Sequence, residues 1–143
     1  MTPTLATAAS SVSLSSAVFI EKTVADQSGQ SKTVLQEPKV VTPGDRLIFI
    51  LSYRNDGTAA ATAFVVTNPL PNAVAYQGTP DKSAVVSIDG GKIWGSLETL
   101  KAPDGAGRWR SARAEDVTHI RWAMQQPIPA GAQGKFSFRG IVR

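Results

Sequence analysis

The alternation of hydrophobic and polar positions is most informative between residues 43 and 57. A Pro43-Gly44 pair opens this stretch and Asn55-Asp56-Gly57 closes it, and both are turn signals. The residues between them are apolar on both faces of a strand: Leu47, Phe49, Leu51 and Tyr53 on one, Ile48 and Ile50 on the other. Because successive side chains point to opposite faces of a sheet, this segment is predicted to be a central strand covered on each side.

Period-two alternation recurs along the rest of the chain, and no segment has the period of a helix. Strands are predicted at residues 12–20, 33–41, 47–55, 62–67, 73–77, 83–89, 92–97, 117–124 and 134–142. In the last of them Phe136, Phe138 and Val142 are predicted to face inwards. The stretch 97–116 is polar and rich in glycine, so a loop is predicted there. The pattern predicts an all-β fold, an immunoglobulin-like antiparallel β-sandwich of about seven to nine strands with an extended N-terminal strand.

The composition limits the classes of function. With 143 residues and 42% hydrophobic content, the chain is long enough for one domain with a substantial core. It has no cysteine, which excludes disulfides, thiolate zinc sites and cysteine nucleophiles. The net charge of +4 suits an anionic partner, but the basic residues are scattered except at residues 108–113. No apolar run approaches the ~18 residues of a membrane span, so a soluble structural or binding domain is expected.

The first twenty residues carry no charge, and Ser, Thr and Ala dominate residues 2–17. We therefore divide the chain into residues 1–17, a flexible or donor-strand segment, and residues 18–143, the β-sandwich domain. A secretion signal needs a positive start and an apolar stretch, and both are missing here, although Ala6-Thr7-Ala8 has the small-x-small form of a cleavage site. Two interpretations stay open: the sequence is trimmed at its start, or these residues form a flexible tail.

Several segments together resemble a known family. The matching residues are Val41-Thr42-Pro43-Gly44-Asp45 with the strand to Tyr53, Asn55-Asp56-Gly57, Ala60 to Val66, Thr67-Asn68-Pro69-Leu70-Pro71, Asp116 to Trp122, and Ile128-Pro129-Ala130-Gly131-Ala132. Over roughly residues 18–143 the chain is similar to the conserved repeat domain of unknown function of bacterial and archaeal cell-surface proteins. The resemblance implies an immunoglobulin-like sandwich that serves as a spacer, adhesion stalk or assembly unit and is secreted or wall-associated. Many such proteins carry tandem copies, whereas this chain carries one.

Few residues of the sequence could form a catalytic or metal-binding site. His119 is the only histidine, and the sequence has no strand-turn-helix motif for a nucleophile. The aspartates predicted to lie in loops do not have the spacing of a calcium loop: Asp81, Asp89, Asp104 and Asp116. We predict no enzymatic activity, no catalytic residue, no metal site and no cofactor.

The predicted loop contains the one dense group of basic residues. Arg108, Arg110 and Arg113 surround Trp109, a combination that can stack on a sugar or a base. The alternative is a solvated loop whose tryptophan folds back onto the sandwich, and we favour that alternative. Nucleic-acid binding is not expected because no recognition helix or aromatic-basic platform is present. Trp94 and Trp122 are predicted to be packing residues.

The N-terminal strand provides the sharper hypothesis. Val12, Leu14, Val18 and Ile20 fall on one face of it. Such a strand, preceded by an uncharged tail, can pair with the open sheet edge of a neighbouring copy, as in donor-strand complementation. Each copy then offers one strand and one groove, so the contacts run head-to-tail and do not close, which produces a filament. The alternative is that this segment is the domain's own first strand.

These observations predict a non-enzymatic structural subunit of a bacterial surface or extracellular assembly, which polymerises by donating its N-terminal strand. The expected partner is a further copy of the same chain, with no nucleic acid and no membrane span. The alternative function is a monomeric, secreted adhesion module that recognises a surface glycan or protein through residues 108–113.

Overall fold

The computed structural model describes residues 11–38 and 40–143 and confirms the all-β prediction. The described part of the chain forms ten strands and one 3-10 turn. The strands are β1 (Val12–Ala25), β2 (Ser31–Gln36), β3 (Arg46–Asn55), β4 (Val65–Pro69), β5 (Val74–Gly78), β6 (Val85–Ser87), β7 (Lys101–Pro103), β8 (Trp109–Ser111), β9 (His119–Ala123) and β10 (Gln133–Val142). The turn is Ala114–Asp116, between β8 and β9. The immunoglobulin-like detail stays a prediction.

The strand that is apolar on both faces is central, as predicted. The larger sheet has the order β2-β1-β3-β10-β5, so β3 is its middle strand. Both neighbours run antiparallel to it: β1 pairs from Val12 to Glu21, and β10 pairs from Gln133 to Ile141. Leu47, Phe49 and Leu51 point into the core, and the buried Ile48 lies on the opposite face.

A second sheet packs on the inner face of the first. It has the order β4-β9-β6 and is also antiparallel. Its central strand carries Trp122, which is fully buried and stacks on Phe136 of β10 with ring centroids 5.2 Å apart. Phe138 lies 6.0 Å from the same indole and stacks on Phe49 at 4.6 Å. The contacts of Trp122 with Phe136 and Phe138 join the two sheets into a sandwich.

The turn after β3 is fixed by a buried asparagine. Asn55 is fully buried, and its Nδ2 donates hydrogen bonds to the carbonyls of Ala59 at 2.9 Å and Ile128 at 2.8 Å. Its Oδ1 accepts a bond from the N–H of Gly57 at 3.0 Å. This one side chain therefore links the end of β3 to the segment before β10. Both polar atoms of its amide, the oxygen and the nitrogen, have hydrogen-bond partners.

Two predicted elements are wrong. Residues 92–97 form no strand, because the Asp89 Oδ1 accepts hydrogen bonds from the N–H groups of Lys92 and Ile93, at 3.1 and 3.0 Å, and holds them in a loop. The predicted loop 97–116 contains the β7–β8 hairpin, a separate two-stranded sheet. In addition, β2 ends at Gln36, short of the predicted 41. Pro38 follows, and a proline has no N–H to continue a ladder.

Candidate functional site

The N-terminal strand lies in its own sheet in this structure. β1 is one continuous strand from Val12 to Ala25, so the boundary expected between residues 17 and 18 falls inside it. Val12 and Ile20 are buried in the core, and Leu14 and Val18 are half-buried against it, which confirms that the four share a face. Residues 1–10 of the predicted donor segment lie outside the described residues. The role of the strand in assembly stays a prediction.

One edge of β1 is open over its first half. Among residues 11–38 and 40–143, only β2 pairs with this edge, and it does so from Ile20 to Ala25. The N–H of Asp56 donates to the carbonyl of Ser11 at 2.9 Å, so Ser11 and every second residue after it face β3. The residues between them point their backbone groups to the open edge: Val12, Leu14, Ser16 and Val18. Side chains from Ser13 to Ala17 are small or half-buried, and none is charged.

The predicted basic loop is organised by the β7–β8 hairpin. Side chains alternate across its strands, so Ala102 and Arg110 share one face while Lys101, Trp109 and Ser111 share the other. Ala102 is buried, and Arg110 makes a two-pronged ion pair with Asp116, with distances of 2.7 and 2.8 Å. The first face therefore fixes the hairpin to the domain. The second face, with Trp109, is turned to solvent.

The structure separates the four residues that the sequence had grouped. Trp109 is 71% exposed, so the prediction that it folds back onto the sandwich is wrong. Arg110 is neutralised by Asp116, and Arg113 lies 3.8 Å from the Glu115 carboxylate. Arg108 is exposed and makes no ion pair with a described residue. Of the three arginines, Arg110 and Arg113 therefore have a carboxylate partner, and Arg108 has none among the described residues.

The Arg110–Asp116 pair makes the stability of the protein depend on pH. Hydrogen bonds from the Arg110 guanidinium, with one from the N–H of Arg113, lower the pKa of Asp116 from 3.8 to about 2. Because the folded pKa is the lower one, this stabilisation is complete above pH 4 and is lost as the pH falls from 4 towards 2. We expect it to amount to about 1 to 2 kcal/mol.

Arg110→Gln is the variant that tests this expectation. Urea unfolding at pH 6 and at pH 2.5 should show a smaller fall in the free energy of unfolding for this variant than for the wild-type chain. Arg108→Gln, on the same hairpin, is the matched control and should behave as wild type. Equal falls for Arg110→Gln and the wild-type chain would contradict the assignment.

An open cleft lies beside the exposed tryptophan. It has a volume of about 600 Å³, and Leu100 and Ile88 contribute buried or half-buried apolar surface to its lining. Trp109 and Ile93 line it with side chains that are 71% and 63% exposed. The polar lining comes from Asp89, Thr99, Lys101 and Ser111. The sequence analysis identified the tryptophan as a candidate but missed Ile93 and Lys101. These two residues come from segments that were predicted to be a strand and a polar, glycine-rich loop.

The single histidine is part of a packed cluster on the outer face of the smaller sheet. His119 is half-buried, and its Nδ1 lies 2.9 Å from the Thr118 Oγ1. Its ring meets Trp94 edge-on at 6.3 Å, and the Arg121 guanidinium lies 4.0 Å over the same indole. Because His119 makes these contacts, we interpret it as a packing residue. Trp94 and Trp122 are buried or half-buried, which confirms that both are packing residues.

The loop aspartates are used by their own turns. Asp26, Asp81 and Asp104 each accept hydrogen bonds from backbone N–H groups two to four residues ahead. Asp89 accepts from the Ser87 hydroxyl as well, and backbone and hydroxyl donors together lower its pKa. Within the described ranges, no three residues among His, Asp and Glu come together in a group that could hold a metal ion.

In the part of the chain that the structure describes, no helix is long and apolar enough to cross a membrane. Compared with models of protein families, with curated proteins and with solved structures, the chain matches none of them.

Proposed function

We propose that this protein is a non-enzymatic structural subunit of an extracellular or cell-surface assembly in bacteria, joined head-to-tail through β1. The observation that carries the proposal is that β1, within the described residues, is bonded to β3 alone between Val12 and Phe19, with its other edge open. Proteins usually protect such an edge with lysine, proline or a bulge, because an unpaired strand recruits other strands. Here the edge has an uncharged sequence of serine, alanine and larger apolar residues. The sequence resemblance to surface repeat domains supports the location.

Exchange of β1 between copies is the form of assembly that its packing favours. Its first half is bonded to β3 alone, so one ladder holds it. Its side chains, with Val12 and Ile20 buried, cover a groove over the core that departure of the strand would leave empty. Emptying this groove costs about 1.5 to 3 kcal/mol for each fully buried side chain. A neighbour's β1 restores the same contacts, so exchange has little net cost and the linked copies remain free to extend.

Removing residues 1–17 is the primary test. We expect the full chain to form fibres or large oligomers in negative-stain microscopy and light scattering, and a chain that starts at Val18 to stay monomeric and to unfold at lower urea. A peptide of residues 1–17, added in trans, should raise the stability of the shortened chain, whereas a scrambled peptide should not. Monomers from the full chain, or a peptide without effect, would sink the proposal.

Proline substitutions distinguish two modes of assembly, exchange of β1 between copies and addition of a neighbour's strand to the open edge of β1. Ser16 points its N–H to the open edge and Ser15 points its N–H to β3. Ser16→Pro removes a donor that only an added strand uses, so assembly by exchange should survive it. Ser15→Pro breaks the ladder to β3 in either copy, so it should abolish assembly and lower the stability of the monomer. If Ser16→Pro alone lost assembly, we would conclude that the copies join by edge addition and not by strand exchange.

A further inference from the structure

Two exposed apolar side chains face one cleft, and each is held on a rigid loop. Trp109 stands on the β7–β8 hairpin, whose turn is closed by the Asp104 carboxylate through the N–H groups of Ala106 and Arg108, at 2.8 and 3.1 Å. Ile93 stands on the loop that Asp89 closes in the same way. A backbone that is held in this way lowers the ordering cost of binding a ligand against the two side chains.

The cleft also has a cation without a partner. Lys101 is exposed, lines the cleft beside Trp109 and makes no ion pair with a described residue. Its one polar contact is with the Ser111 hydroxyl, 3.4 Å away on the facing strand. The Asp89 carboxylate also lines the cleft and stays ionised, because hydrogen bonds from the Ile93 N–H, the Ser87 hydroxyl and the Lys92 N–H lower its pKa. Lys101 shares the hairpin face with Trp109, whereas Asp89 is on the other loop of the cleft, so Lys101 is the charged group beside the tryptophan.

From these residues we infer that the cleft binds an acidic polysaccharide, with the apolar face of one sugar ring on Trp109 and a uronic carboxylate on Lys101. A flat indole matches the C–H face of a pyranose ring, and the Ser111 hydroxyl in the lining can bond a sugar hydroxyl. The cleft is open, so a chain of sugars can pass through it. The inference is independent of strand exchange, since no residue of β1 lines the cleft.

The ligand class is tested with polygalacturonate, and dextran is the neutral comparison. Affinity gel electrophoresis and tryptophan fluorescence titration should show binding to polygalacturonate only. Trp109→Ala should weaken it about tenfold, on the scale of one lost aromatic stacking contact. Lys101→Gln should weaken it by a similar factor at low salt and by less at high salt, because the lost contact is a screened charge.

Arg108→Gln is the matched control, because this exposed cation is on the same hairpin but does not line the cleft. It should bind nearly as well as the wild-type chain. Binding that is equal for dextran and polygalacturonate would overturn the acidic class. No binding, or binding that Trp109→Ala leaves unchanged, would overturn the site. Binding is measured on the full chain whether or not it assembles, and no residue of β1 lines the cleft, so a failure here is distinguishable from a failure of the assembly proposal.

Discussion

Asn55→Asp is expected to lower the free energy of unfolding by about 3 to 5 kcal/mol at pH 7, the range for an uncompensated buried charge. The native amide nitrogen donates to the Ala59 and Ile128 carbonyls in a fully buried position. An ionised carboxylate there faces two carbonyl oxygens and has no proton to donate. Burial and this repulsion raise the pKa of the introduced carboxyl in the folded state.

The raised pKa determines how this loss depends on pH. The variant is penalised wherever the unfolded chain has its carboxylate ionised, so the penalty begins near pH 4 and grows until the pH passes the folded pKa. Urea unfolding at pH 4 and pH 7 should therefore show the smaller loss at pH 4. Asn72→Asp, on an exposed residue, is the matched control and should change stability by less than about 0.5 kcal/mol. A loss in Asn55→Asp that does not vary with pH would contradict the explanation.

Trp122→Ala is expected to cost about 3 to 5 kcal/mol, because it leaves a large cavity between the sheets. The indole is fully buried and stacks on Phe136, and Phe138 lies beside it. Its Nε1 has no hydrogen-bond partner among the described residues. Trp122→Phe removes that unpaired donor and keeps an aromatic ring, so it should cost clearly less, about 1 to 2 kcal/mol.

Equilibrium urea unfolding followed by circular dichroism measures both losses. Trp109→Ala is the matched control, since this tryptophan is 71% exposed and its removal should leave stability almost unchanged. If Trp122→Phe were as costly as Trp122→Ala, the indole N–H would have a partner, such as a buried water, and the reasoning from an unpaired donor would fail.

The long strands were predictable because their burial is strongly patterned. β3 is apolar on both faces and became the middle of the larger sheet, and Phe136, Phe138 and Val142 of β10 face the core as expected. The segment 92–97 also alternates, but the N–H groups of Lys92 and Ile93 bond to Asp89, and only Gly95 forms a bridge, to Val86. Alternation records burial, and it carries no information on local side-chain bonds of this kind.

The candidate site was predicted only in part, for a related reason. The hairpin strands β7 and β8 have three residues each, too few for a period to be visible, so their two faces were indistinguishable in sequence. Because the sequence did not show which face each residue lies on, Arg110 and Trp109 were treated as equivalent. In the structure Arg110 is paired with Asp116, whereas Trp109 is exposed. Lys101 reaches the cleft from β7 and Ile93 from the loop after Asp89, and only tertiary structure brings them together.

The arrangement of β1 and β10 on either side of β3 determines how the domain resists stretching. Both strands run antiparallel to β3 and hence parallel to each other, so Val12 and Val142 lie at opposite ends of the sheet. A pull applied at these two residues acts along the strands and loads the β1–β3 and β3–β10 hydrogen bonds together in shear. Bonds loaded in this way must rupture collectively, whereas a hairpin pulled from one end opens one bond at a time. A subunit connected through β1 would thus place its strongest mechanical direction along the line of tension.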